Sequence, residues 1–307
     1  MTHEEPPGRH DGSTRASLEQ RAVFSGALSP PGRADFPGKA VAALTCLSAA
    51  LVAALVLVPS RIAAQGDTRL TDPRLLAQDL QDAFVAYWRS GESTYPPGLA
   101  RVVDYWARYS ILEAVITSAL LVTLVALGRL LWKTYMRGEI SGRANRLTIA
   151  SASTVVWGCA LVALWTLTSS IQDAFAPFAA VLPVLLDGSA HEALAQTLDR
   201  VQQHLAPSTS AGEPAPPALA AMVDGNARFH VVHAIAAAPT TLYLLGAGVR
   251  LWRRRTRVSE RHVRRTVTSA AAVCVLLSFL FGVICAVNVG TAIDPEPSLY
   301  GLFQGGW

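Results

Sequence analysis

"PPGLARVVDYWARYSILEAVITSALLVTLVALGRLLWK", Pro96 to Lys133, is the stretch on which the fold turns. From Ile111 to Trp132 it is apolar apart from Glu113 and Arg129, and long enough to cross a hydrocarbon core, which takes about 20 residues. Its first part is charged and aromatic and opens on two prolines. Proline is tolerated at a helix start because its missing N–H has no intrahelical partner there. The same pattern returns 120 residues later, without a gap, as "PPALAAMVDGNARFHVVHAIAAAPTTLYLLGAGVRLWR", Pro216 to Arg253. Shared residues include Leu99/Leu219, Val103/Val223, Asp104/Asp224, Arg108/Arg228, Leu124/Leu244, Gly128/Gly248 and Trp132/Trp252. The pattern predicts a tandem repeat of external helix, Pro-Pro entry, span, basic loop and return span. Both copies run in the same direction, so they are parallel repeats related by an axis along the membrane normal.

Four more apolar runs, Ala40 to Val58, Thr148 to Ser170, Val231 to Trp252 and Val267 to Gly290, bring the expected spans to five. A chain with 51% hydrophobic and 16% charged residues fits a membrane protein better than a soluble one. Ala40 to Val58 is too long, and too far from residue 1, for a signal-peptide core of about 7–15 residues, so it reads as a retained span. The expected fold class is therefore all-α: a polytopic membrane protein of five transmembrane helices with a parallel tandem repeat and helical external segments. Residues 1–39, rich in Pro, Gly and Ser without periodicity, read as a disordered cytoplasmic tail. Residues 40–59 are the first span, 60–171 copy one, and 172–307 copy two with a short external C-terminus.

Cations set the expected orientation. One short loop carries Lys133, Arg137, Arg143 and Arg146 against Glu139, and another runs from Arg253 to Arg265 with only Glu260 opposing. The long segment from Gln172 to Asn226 holds six acidic residues and the single Arg200. The positive-inside rule puts the short loops and the N-terminus in the cytoplasm and the C-terminus outside. Two lysines against 24 arginines, with abundant alanine, indicate a high-GC bacterial genome and hence a bacterial inner membrane. The basic loops read as topology determinants meeting anionic lipid and not as a nucleic-acid surface. Cys46, Cys159, Cys274 and Cys285 all fall within spans and read as buried small hydrophobes without disulfides.

Outside the spans, Asp72 is placed to cap a helix with Pro73 at its first position, and Leu76, Leu80, Phe84 and Trp88 form one face. Leu194, Leu198, Val201 and Leu205 form a second such face. Phe175 to Leu186 is apolar but too short to span, and reads as an interfacial or re-entrant piece.

Positions where the copies differ are the candidates for chemistry. Glu113 aligns with His233, Ser110 with His230, and Tyr105-Trp106 with Gly225-Asn226. Asp104–Arg108 and Asp224–Arg228 have the i, i+4 order that favours an ion pair. Glu113 is an acidic residue within a span, a functional candidate by default, and facing His233 across the pseudo-axis it forms a carboxylate–imidazole contact. Arg108, Arg228, Glu113 and His233 near the outer entrance suit binding or carriage of a small anion, lipid or other amphiphile; service as a membrane-complex subunit or homo-oligomer is the less specific form. The alternative is a metal- or haem-binding membrane oxidoreductase using His230, His233 and Glu113. No phosphate loop, Gly-x-Ser-x-Gly elbow, Cys-x-x-Cys or His-Glu-x-x-His occurs, so no cofactor is implied and nothing argues for an enzyme.

The combination of "PPGLARVVDYWARY", "GRLLWK" and "IQDAFAPFAAVLP" resembles a group of multi-pass membrane proteins of high-GC actinobacteria with no assigned activity. The resemblance covers Ala40 to about Asp294. It implies a polytopic membrane fold and carries over no functional residue.

Overall fold

The computed structural model describes Thr2 and residues 38–137, 143–186, 191–206 and 216–305. Residues 3–37 of the expected tail, and the loop residues around Glu139 and Glu213, lie outside the described residues. The chain divides into compact units at Ala42, and the packing below is that of Ala43–Trp307.

Every regular element among the described residues is helical. Five helices are long and apolar enough to cross a membrane: α1 (Gly38–Leu57), α5 (Pro97–Arg137), α6 (Arg143–Phe175), α9 (Pro217–Arg254) and α10 (Arg261–Ile293). Between them lie α2 (Pro59–Ala63), α3 (Thr68–Thr71), α4 (Pro73–Ser90), α7 (Pro177–Val181) with a 3-10 turn at Leu182–Leu186, α8 (Glu192–Leu205) and, after the last span, α11 (Glu296–Phe303).

At 1.5 Å per residue the 41 residues of α5 extend roughly 60 Å, about twice the hydrocarbon thickness. The surplus is used at its Pro97 end, where Leu99, Val102, Val103 and Tyr105 are buried among the short helices. There, side chains from α2, α3, α4, α5, α7, α8, α9 and α11 share a single core, a cap on one end of the bundle. Local sequence explains its parts. The Asp72 carboxylate accepts from the Arg74 and Leu75 amides, Pro73 opens α4, and Gly91 closes it in the left-handed region at φ 66°. Leu76, Leu80 and Phe84 are buried on the expected face and Trp88 packs at its edge. His191 Nδ1 accepts from the Leu194 amide and starts α8, whose Leu194, Leu198, Val201 and Leu205 face inward as expected.

Phe175 to Leu186 departs from the interfacial reading. Phe178, Val181, Leu182 and Leu185 enter the cap core, with Phe178 edge-on to the buried Tyr87. The segment is too short to span because it is a piece of globular core. Tyr87 Oη donates to the Ala218 carbonyl at 3.2 Å, and burial pushes its phenol up to about 12. At the rim, Arg69 and Arg101 flank Asp79, and the hydrogen bonds from Arg69 hold that carboxyl below the usual carboxylate range.

In the bundle, α5 packs along α6, α9 packs along α10, and α6 also touches α9. Gly128 and Gly248, aligned in the sequence, each mark a close approach. A Cβ on Gly128 would lie 3.0 Å from Trp157 of α6, and one on Gly248 would lie 3.0 Å from Val275 and 3.4 Å from the Ala271 carbonyl of α10. Small residues let helices approach where lipid gives no hydrophobic drive for packing. The four cysteines are free, but the buried reading fails for two: Cys46 and Cys159 are exposed, and Cys274 and Cys285 half-buried. In lipid an apolar thiol has no need of a protein interior.

Candidate functional site

Spacing on α5 builds the site. Trp106, Ser110, Glu113 and Thr117 follow one another at steps of four, three and four, which puts them on one helical face. Ser110 and Thr117 are fully buried. The opposing surface is the C-terminal part of α6, where the fully buried Ser170 donates from Oγ to Glu113 Oε2 at 2.8 Å. Asp173, one turn further, lies beside Glu113, Trp106 and Tyr109. The Trp106 and Tyr109 rings stand 5.9 Å apart at the edge of this group.

The α5–α6 seam is under-bonded. Among the described residues, Ser110 Oγ, Thr117 Oγ1 and His233 Nε2 are buried without a hydrogen-bond partner, while the buried Trp106 Nε1 has the Asp173 carboxylate beside it. Two of these, Ser110 and Thr117, lie on the Glu113 face of α5. Each such atom costs about 1–3 kcal/mol when nothing satisfies it, so their concentration on one face is a local feature of the bundle and not a general looseness. Neither Glu113 nor Asp173 has an ion-pair partner among the described residues.

The residues expected to converge are distributed differently. Glu113 and His233 do not meet. His233, on α9, is buried and shares a 2.6 Å hydrogen bond between Nδ1 and Gln172 Oε1, with Trp165 edge-on to its ring. Ser170 and Gln172 are two apart on α6 and point to opposite sides, so α6 stands between the carboxylate and the imidazole. The Gln172 carbonyl oxygen is the acceptor, so Nδ1 of His233 donates in this bond. His230 turns instead to Asn288 of α10, at 2.8 Å. The two histidines thus engage amides on different helices, and no group of three or more metal-ligating side chains forms among the described residues.

Neither arginine reaches Glu113. Arg108 lies on the far face of α5 and donates from Nε to the Ala63 carbonyl at 3.1 Å, so the expected Asp104–Arg108 ion pair gives way to a bond that ties α5 to α2. Arg228 pairs with Asp224 at 2.8 Å, as its spacing predicts, on an exposed face. Asn226, which replaces Trp106 in the second copy, donates to the Pro295 carbonyl and to Ser298, clasping α11.

Of the Trp106–Ser110–Glu113–Thr117 stripe, the alignment of the two copies singled out Trp106, Ser110 and Glu113; Thr117 was missed, although its four-residue step from Glu113 puts it on the same face. The stripe's partners Ser170 and Asp173 carried no comparable signal, because one hydroxyl and one acid at the end of a span look like ordinary helix termini. Comparison with known proteins found no matching family model, curated protein or solved structure.

Proposed function

We propose that this multi-pass membrane protein binds a small organic cation, such as a protonated amine, at the Glu113–Asp173 seam between α5 and α6. The carrying observation is the pair of neighbouring carboxylates without a basic partner, set among buried hydroxyls that lack hydrogen bonds. Two carboxylates side by side in a helix bundle call for a counter-cation or a shared proton. The faces of Trp106 and Tyr109 suit an ammonium group, which aromatic rings attract through their quadrupole. Carriage of a small anion or amphiphile by Arg108 and Arg228 is the competing reading, and it is less well supported because both guanidinium groups are engaged away from Glu113.

The test uses the full chain in lipid nanodiscs, titrated with methylammonium, tetramethylammonium, sodium, phosphate and acetate at constant ionic strength, with thermal unfolding as readout. An organic cation should stabilise the protein, and Glu113→Gln or Asp173→Asn should each weaken that response at least tenfold. Arg108→Gln and Arg228→Gln should leave it unchanged. Stabilisation by an anion that disappears in the arginine variants, or no response to any cation, sinks the proposal.

We read the chain as a parallel tandem repeat in a bacterial cytoplasmic membrane, with the cap outside. The matching close approaches at Gly128 and Gly248, and the basic residues at the end of the bundle away from the cap, support this reading. Cysteines introduced at Ser93 in the cap and at Ser259 in the basic loop report the orientation. An impermeant thiol reagent on intact cells should label Ser93→Cys alone; labelling of Ser259→Cys alone would reverse it.

A further inference from the structure

The last turn of α9 and the 3-10 turn that follows it (Arg255–Arg257) carry a feature that the Glu113 seam does not use. Arg250, Arg253, Arg254 and Arg257 line an open depression of about 420 Å³ over Leu251. None of these four guanidinium groups has an ion-pair partner among the described residues. Nearby, Arg255 stacks on the Trp252 ring, its Cζ 3.3 Å from the centroid, so that a guanidinium plane is held at the level of an interfacial tryptophan.

An apolar track leads to the same place. Leu242, Leu245, Val249 and Trp252 are between 42% and 69% exposed, and their steps of three, four and three put them on one face of α9. Arg253, four residues after Val249, continues that face into the arginine depression. The surface is therefore amphiphilic in one direction: about two turns of exposed hydrocarbon, an aromatic ring, then clustered guanidinium groups. Guanidinium presents paired N–H donors that match phosphate oxygens.

We infer that this surface is a binding site for an anionic phospholipid, with its headgroup phosphate on Arg250, Arg253, Arg254 and Arg257 and an acyl chain along Leu242, Leu245 and Val249. A free phosphate offers the same headgroup chemistry but has no use for the apolar track. The site is independent of any ligand at Glu113.

Native mass spectrometry of the full chain in a neutral detergent tests the inference, with phosphatidylglycerol, phosphatidylcholine and inorganic phosphate offered in turn. Phosphatidylglycerol should be retained at least tenfold more than phosphatidylcholine, and millimolar phosphate should not displace it. The triple variant Arg253→Gln, Arg254→Gln, Arg257→Gln should lose the preference while unfolding at the same temperature as the parent. Arg74→Gln with Arg89→Gln, in the cap, should keep it. Leu245→Ser with Val249→Ser should weaken retention without changing which headgroup is preferred. Equal retention of both lipids, or an unchanged preference in the triple variant, overturns the site; displacement by inorganic phosphate assigns it to a soluble anion.

Discussion

The cap and the bundle solve the burial problem in opposite ways. The cap gathers 26 buried apolar residues in one core, from Ala63 to Phe303. The described spans hold two small clusters, one of four buried residues around Leu124 and one of three around Leu244. Beside leucines and alanines the bundle buries polar residues, Ser110, Thr117, Thr168, Ser170, Gln172, His233 and Ser278, while large apolar ones such as Val122, Leu242, Leu276 and Phe279 face out. Water drives apolar side chains together, whereas lipid accepts them as readily as a protein interior does. The lesson is that the same residue type carries different weight at the two ends of one helix, and α5 contains both regimes.

The largest expected effect breaks the cap. Phe84 is fully buried, and Phe84→Ala should cost about 3–5 kcal/mol by the usual toll of an aromatic cavity. Phe279→Ala, on a side chain 71% exposed on the bundle, should stay within about 0.5 kcal/mol. Equilibrium unfolding of the two variants in one detergent makes the comparison; equal losses would mean that the exposed face of α10 is covered by protein.

A middle-sized effect sharpens the reading of the two copies. Gly248→Ala should destabilise by about 1–2 kcal/mol through overpacking, since its Cβ comes within 3.0 Å of Val275, a β-branched side chain that a helix holds to one rotamer. Gly128→Ala should cost less, because its neighbour Trp157 is 38% exposed and free to swing outward. Gly246→Ala, with nothing within 4 Å, serves as the helix-propensity control and should be neutral or stabilising. Thermal unfolding in detergent ranks the three, and a Gly246→Ala loss as large as that of Gly248→Ala would remove the packing explanation.

The smallest effect is electrostatic. The Asp79 carboxyl is held below its unfolded value by Arg69, so its contribution is present above the unfolded value of about 4 and is lost as pH falls through the lower folded one. Cap stability should therefore decline on acidification below about pH 5, and Asp79→Asn should flatten that decline by less than half the Gly248→Ala effect. Circular dichroism melts from pH 7 to pH 3 decide it; an unchanged slope in the variant shows that other carboxylates carry the acid sensitivity.

Much of this was legible in the sequence, for reasons that differ by region. The five spans follow from length and apolarity alone, and the buried faces of α4 and α8 follow from fourfold spacing between a cap residue and a breaker. Leu299 and Phe303 have the same spacing, but eight residues after a span read as a tail and their burial was missed. The candidate site was only half readable. Repeat alignment singled out Glu113 and His233 but could not show that α6 stands between them, because alignment within a chain carries no information on which helix separates two others. Arg108 was misread for a related reason: an i, i+4 partner is visible in sequence, whereas the Ala63 carbonyl 45 residues earlier is not.

The position of α11 has a consequence for the order of assembly. Leu299 and Phe303 fill the cap core from beyond the fifth span, Asn226 holds the start of α11, and Gln202 donates to the Phe303 carbonyl near its end. Residues 59–90, synthesised early, must therefore wait with part of their apolar surface uncovered until four further crossings are complete. The cap core therefore closes last, and a chain ending before Glu296 would leave the places of Leu299 and Phe303 open as exposed apolar surface.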